Sequence, residues 1–404
     1  MTGPFITEGL PPLRGSFREE VHDFEVEELP AYKPCGAGTH TYLWIEKRGV
    51  STREAARRIA RALSRPARDV GYAGLKDARA VARQYLSLEH VGEVAPERIA
   101  DGAIRLLEQG RHRNKLKPGH LKGNRFRIRL RRAGAQAEQA ARTALSRLEE
   151  RGVPNRFGRQ RFGGPRGTTA PLGFLLLKGQ PEEFLRTLLG KPLVHESPRV
   201  QKARTLYEQG ALEDALGAFP PSFEAERSCL RALLRQATAE QAARAAPRAL
   251  RRLYVSAAQS QVFNDLLAER IELGLLSQVE EGDVCMLHTS GGSFVVEEPE
   301  KEQRRLDSHE LSPAGPLFGT RLLRARGRPA ERESRAFLRH GVELERRSCS
   351  FPVPIPRGAR RAYRIILSEP EARSDGEDLL LSFTLPKGAY ATSVVTELLQ
   401  QEVG

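Results

Sequence analysis

The stretch Gly71–Gln84, GYAGLKDARAVARQ, sets one carboxylate, Asp77, among Lys76, Arg79 and Arg83, with glycines at 71 and 74. A lone acid in such a setting is either a solvated turn residue or a nucleophile held ready for an anionic substrate. Burial drives a carboxyl toward its neutral form, and neighbouring cations oppose that shift. An ionised carboxylate can then attack an electrophilic carbon or accept a proton. Glycines without a Cβ let a second backbone, or a nucleotide, come close.

A second cluster is purely cationic. Arg111 to Arg132, RHRNKLKPGHLKGNRFRIRLRR, holds ten Lys or Arg and no Asp or Glu. Within it Phe126, Ile128 and Leu130 alternate with Arg125, Arg127, Arg129 and Arg131, which predicts a strand with one core face and one cationic face. Uncompensated like charges repel across a strand face. That face is therefore expected to track phosphates, together with Arg111, Arg113, Lys115, Lys117 and Lys122. His112 and His120 lie in the same strip and are expected to add polarity or phosphate contacts. A third segment, PNRFGRQRFG, offers Asn155, Phe157 and Phe162, an amide and aromatic rings for a nucleobase turned out of its stack. Gly163-Gly-Pro-Arg-Gly167 reads as a turn. No glycine-rich nucleotide loop and no metal-ligand spacing of histidines appears, so neither metal nor nucleotide cofactor is expected.

These residues need elements to position them. Residues 16–48 alternate as strands around the Gly36-Ala-Gly38 turn. Ser51-Thr-Arg-Glu54 reads as a capping box opening a helix with Ala56, Ile59, Ala60 and Leu63 on one face. Val70–Ala73 reads as a short strand, which places Asp77 in the loop after it. A helix with Ala141, Leu145 and Leu148 inward follows the basic strip and ends at Gly152. Helical runs are expected at 201–217, 223–246 and 254–273, with strands and turns near Gly291, Pro299 and Pro313–Pro316. The segments Phe351–Pro356, Tyr363–Leu367 and Leu379–Leu385 read as extended, before a last helix starting near Thr392.

At 404 residues the chain exceeds one ordinary core. A helical block between strand-rich ends predicts an insertion, the ends completing a common sheet. Cys35, Cys229, Cys285 and Cys349 are widely spaced and read as buried thiols of a reducing compartment. With no apolar run of transmembrane length and no secretory signal, a bacterial-type cytoplasm and no membrane partner are expected. The formal charge of +14 favours a polyanionic partner, nucleic acid above all.

The segments FREEVHDFEVEE, GLKDARA, KLKPGHLKGNRF, PNRFGRQRFG, SAAQSQVFN, LSPAGPLFG and LPKGAYATSVV together resemble the TruD-type tRNA pseudouridine synthases, from about residue 14 to 398. The resemblance implies an α+β fold. Its pseudouridine-synthase core would have a mixed, largely antiparallel sheet flanked by helices, divided as 1–175 and 346–404. A family-specific α+β domain would occupy 176–345. It also implies conversion of a tRNA uridine, expected at position 13 of the D-arm, into its C-glycoside isomer without cofactor or metal. By motif match Asp77 is the catalytic aspartate. Arg18 and Lys76 support it, while Phe24, Asn155 and Phe157 fall on the base pocket. A non-catalytic RNA-binding protein would not need the intact GLKD motif, and an RNA methyltransferase would need a glycine-rich nucleotide loop.

Overall fold

The computed structural model describes residues 3–342 and 356–403. The expected extension of Phe351–Ile355 and the thiol of Cys349 lie outside these residues. The chain forms two compact units, one from residues 1–153 with 365–403, the other from 154–364. These divisions fall at 153/154 and 364/365, where the sequence reading sets its breaks at 175/176 and 345/346. Among the described residues no helix is long and apolar enough to cross a membrane.

Unit one is built on a nine-stranded sheet. Its strands are β1 (Ser16–Phe17), β2 (Phe24–Pro30), β3 (His40–Arg48), β4 (Gly71–Tyr72), β5 (Val81–Glu89), β6 (Ile104–His112), β7 (Leu121–Arg131) and the late strands Ser368–Asp375 and Asp378–Pro386. The order from one edge is Ser368–Asp375, Asp378–Pro386, β7, β2, β5, β3, β6, with β1 beside β7 and β4 beside β5. Only β2 and β5 run parallel among these pairs. The sheet is mixed and largely antiparallel, as expected, and both ends of the chain contribute to it.

Strand alternation decides which side chains meet the helices. Phe24, Val26, Phe126, Ile128, Leu130, Leu379, Leu381 and Phe383 are buried against the helices Ala137–Arg151 and Ala391–Leu399. Leu43, Ile45, Leu86 and Leu88 are buried against Ala55, Ala56, Ile59, Ala60 and Leu63 of the helix Thr52–Ala62. Ser51 Oγ accepts from Glu54 N–H at that helix's start. The other half of the expected capping box is replaced, because Glu54's carboxylate takes the guanidiniums of Arg57 and Arg58 instead. Exposed arginines one turn on compete well for it.

Unit two is mostly helical. The run expected at 201–217 is split into Pro198–Glu208 and Leu212–Ala218. That at 223–246 is split into Glu224–Leu234 and Ala239–Ala245, and the long helix Arg248–Glu272 follows. The breaks have local causes. Gly210 takes φ +80°, Thr238 and Gln241 form a reciprocal capping box, and Pro247 precedes the long helix. Strands Val284–Leu287, Ser293–Val295, Leu311–Leu317 and Ala359–Ala362 form a small sheet. Cys229 and Cys285 are buried as expected; Cys35 is exposed, its thiol donating to Ala37 O in the turn before β3.

Candidate active site

Asp77 stands in the loop between β4 and β5, its side chain 59% exposed. Arg18 Nη2 donates to Asp77 Oδ2 at 2.7 Å. Arg18 follows β1 with φ +62°, the left-handed region that a residue with a Cβ seldom adopts. Its guanidinium lies over the rings of Phe24 at 3.9 Å and Phe17 at 5.0 Å. Arg79 Nη2 donates to Arg18 O at 3.2 Å, tying the loop back to the same turn. The planar cation therefore has an aromatic face on one side and a carboxylate at its edge, an arrangement suited to arginine rather than lysine.

Below the loop lies a buried polar network that carries Asp77's backbone. Thr52 Oγ1 accepts from Lys76 N–H and donates to Gln84 Oε1, both at 2.8 Å. Gln84 Nε2 donates in turn to Gly74 O. Lys76 Nζ donates to Glu28 Oε2 at 2.8 Å, and both side chains are buried. Burial pushes the Glu28 carboxyl up, with Lys76 opposing the shift. Lys76 thus supports the loop from inside, and its ammonium does not reach out to phosphates. Lys47 Nζ donates to Asp77 O and to Val50 O, each at 2.7 Å. Thr52, Gln84, Glu28 and Lys47 were missed by sequence reasoning, because each lies on a different strand or helix from Asp77.

Phe24 is 3% exposed and packs against Phe17 and Phe126, at 5.9 and 5.8 Å between ring centroids. One more polar group belongs to this face. Asn124 stands directly opposite Glu28 in the β2–β7 register. It is buried, and its Oδ1 has no hydrogen-bond partner among the described residues. A buried amide oxygen left without a donor costs free energy. The sequence signal was present in KGNRF, where an asparagine takes an inward position of an otherwise apolar strand face.

Asn155 and Phe157 belong to unit two. Asn155 Nδ2 donates to Ala362 O at 2.8 Å, and its Oδ1 accepts from Arg361. Both ends of that amide are thus engaged within the unit. Phe157 N–H donates to Asn264 Oδ1, and Asn264 Nδ2 returns a bond to Phe157 O. Arg361 lies over the Phe157 ring at 4.2 Å, and Phe263 meets it edge-on at 5.5 Å. Arg161 donates to the hydroxyls of Ser256 and Ser260 on the long helix. The GGPRG segment, expected as a turn, forms a short 3-10 helix over Gly164–Arg166, with Arg166 bound to Glu196 and three carbonyls.

The basic strip is a strand as expected, with Phe126, Ile128 and Leu130 inward. Its charges are not uncompensated. Arg125 pairs with Glu369 at 3.0 Å, Arg129 with Asp375 and Asp378 at 2.8 and 2.9 Å, and Arg131 with Asp23 and Glu20 at 2.7 and 3.1 Å. Neighbouring strands bring Glu369, Asp375 and Asp378 from the far end of the sequence, and the short 3-10 turn before β2 brings Glu20 and Asp23. Arg127 is exposed and forms no ion pair among the described residues. Arg113 and Lys117 between β6 and β7, and Lys122 at the start of β7, are exposed, while Lys115 Nζ donates to Arg68 O and Arg111 of β6 to Gly38 O. His112 stacks on Tyr32 at 4.9 Å, and His120 Nδ1 is 2.6 Å from Tyr32 Oη.

Comparison with known proteins adds identity to this geometry. The family model for tRNA pseudouridine synthase D (TruD) matches residues 4–398. A tRNA pseudouridine synthase D of Geobacter metallireducens is 42% identical over 400 residues, covering 98% of this chain and 97% of its own. That of Thermus thermophilus is 36% identical over 401 residues, covering 99% and 92%. A crystal structure from Methanosarcina mazei, of a chain assigned to tRNA pseudouridine synthase D, matches with a TM-score of 0.86 at 27% identity. The match covers 98% of this chain and 96% of that one.

Proposed function

The chain belongs to the tRNA pseudouridine synthase D (TruD) family, and on that premise we propose that it isomerises a tRNA uridine, at position 13 of the D-arm, with Asp77 as the catalytic carboxylate. The observation that carries this reading is the Arg18–Asp77 pair at 2.7 Å, seated over Phe24 on a loop anchored from beneath. In the reaction the N1–C1′ bond breaks, the base turns, and C5 bonds to C1′. The C5 proton leaves and N1 gains one. Asp77 either bonds C1′ as uracil departs or takes the C2′ proton to give a glycal. Both routes need an ionised carboxylate at one fixed place, and the bond from Arg18 holds the Asp77 side chain there.

Unit one is the catalytic core in this reading, and residues 176–345, within unit two, are the family-specific domain. Phe24 forms the base platform once Arg18 makes room, and Phe157 with Arg361 offers an aromatic and cationic surface on unit two. Asn124 is better suited than Asn155 to meet a uracil edge, since its acceptor is unused. Arg127, Arg113, Lys117 and Lys122 are the cations best placed for phosphates, because carboxylates do not already neutralise them. A tRNA substrate fits a cytoplasmic enzyme.

Asp77→Asn tests the assignment. It keeps side-chain size but removes the nucleophile and proton acceptor. Single-turnover pseudouridine formation at saturating enzyme, mapped by carbodiimide on tRNA, should vanish while tRNA binding at fixed salt persists or tightens. Substantial turnover by a folded Asp77→Asn protein would sink the mechanism, and product at another uridine would sink the position.

A further inference from the structure

Lys47 is fully buried on β3, with no exposed side chain at all. Among the described residues it forms no ion pair. Its ammonium instead donates to two main-chain carbonyls, Val50 O and Asp77 O, each at 2.7 Å. Burying a cation without a contacting carboxylate is costly, and an apolar side chain of similar length would fill the space at less expense. Packing therefore does not account for a lysine here. Its second acceptor is the backbone of the residue that carries the chemistry. The Val50 contact fixes the end of β3 and the entry to the helix Thr52–Ala62, so one ammonium joins strand, helix start and catalytic loop.

We propose that Lys47 is a positioning residue for Asp77, clamping its main chain to the end of β3 and setting a positive charge beneath its carboxylate. The proposal rests on the reading of Asp77 as the catalytic acid. Two charged groups act on Lys47: Asp77 favours its ammonium and Lys76 opposes it. Burial outweighs both and brings Lys47 down to about 8. The charge is thus present at neutral pH.

Lys47→Met removes the charge and both donors while keeping a long unbranched side chain. Single-turnover pseudouridine formation by Lys47→Met should fall about 100-fold, a loss typical of a misplaced reacting group. The Kd for tRNA should stay within about threefold, because the ammonium is sealed from RNA. Because the main chain of Asp77 loses its anchor while the RNA-facing surface is untouched, the loss should fall on the rate constant of the folded enzyme at saturating protein. A lysine needed only for folding would lower the active fraction without changing that rate constant. A near-normal rate constant in folded Lys47→Met would overturn the proposal. Should the variant fail to fold, Lys47→Arg decides. It keeps the charge but carries its donors at a different reach, so turnover should fall while tRNA binding stays within about threefold, and normal turnover by folded Lys47→Arg overturns the proposal equally. Failure of the unmodified enzyme to form any pseudouridine would instead count against the reading of Asp77.

Discussion

At the residue scale the site separates groups that sequence names from groups that only register reveals. Asp77 stands out because a lone acid among cations is visible as a string, and Arg18 because FREEVHDFEVEE resembles the family's segment. Asn124 does not, because its meaning comes from facing Glu28 across β2 and β7. The two asparagines give opposite expectations. Asn124→Ala should cut turnover at least tenfold with little change in stability, since its Oδ1 has no partner to lose. Asn155→Ala should instead destabilise by about 1–3 kcal/mol, because it removes the donor to Ala362 O and one of the acceptors of Arg361. Single-turnover rates set beside chemical denaturation of both variants distinguish the two. Asn155→Ala losing turnover at unchanged stability would return the base edge to unit two. The same logic explains Lys76: its place in GLKD was legible, but its partner Glu28 is 48 residues away.

At the element scale, periodicity predicted β7 well and its electrostatics poorly. Alternation fixes which face of a strand is buried, and Phe126, Ile128 and Leu130 are inward as their spacing requires. The charge balance of the other face depends on neighbouring strands. Glu369, Asp375 and Asp378 come from the far end of the chain, and no local pattern announces that they will lie beside Arg125 and Arg129. A cation already paired releases few counterions when RNA arrives. Replacing Arg125, Arg127 and Arg129 together by Gln should therefore reduce the slope of log K against log salt by about 1 rather than 3. Replacing Arg113, Lys117 and Lys122 should reduce it more. Filter binding of tRNA across a salt series measures both. A reduction near 3 for the first set would mean the carboxylates yield to phosphate, whereas none would assign Arg127 to solvent.

At the scale of the whole molecule, the sequence expectation of an interrupted sheet has a structural counterpart with consequences for folding. Unit two is contiguous in the chain and has its own apolar cores, one around Phe184, Phe219, Cys229 and Leu230, another around Cys285, Val296 and Leu311. Unit one is not contiguous. Strand Asp378–Pro386 pairs with β7 along its whole length, from Leu379 opposite Leu130 to Pro386 opposite Gly123. Leu379, Leu381, Phe383, Val394, Val395 and Leu398 share one buried cluster with Phe24, Phe126 and Leu145. A fragment ending at residue 153 would leave β7 as an exposed edge and strip the apolar cover from its inner face, a combination that promotes association. Residues 154–364 expressed alone should therefore show a cooperative thermal transition as a monomer. Residues 1–153 alone should aggregate or unfold without one, and adding residues 365–403 through a short linker in place of unit two should restore cooperativity. Calorimetry with light scattering on the three fragments decides it. A cooperative monomeric fragment 1–153 would show that the late strands decorate the catalytic sheet without completing it, and Asp77's loop would then owe its placement to β2, β3 and β5 alone.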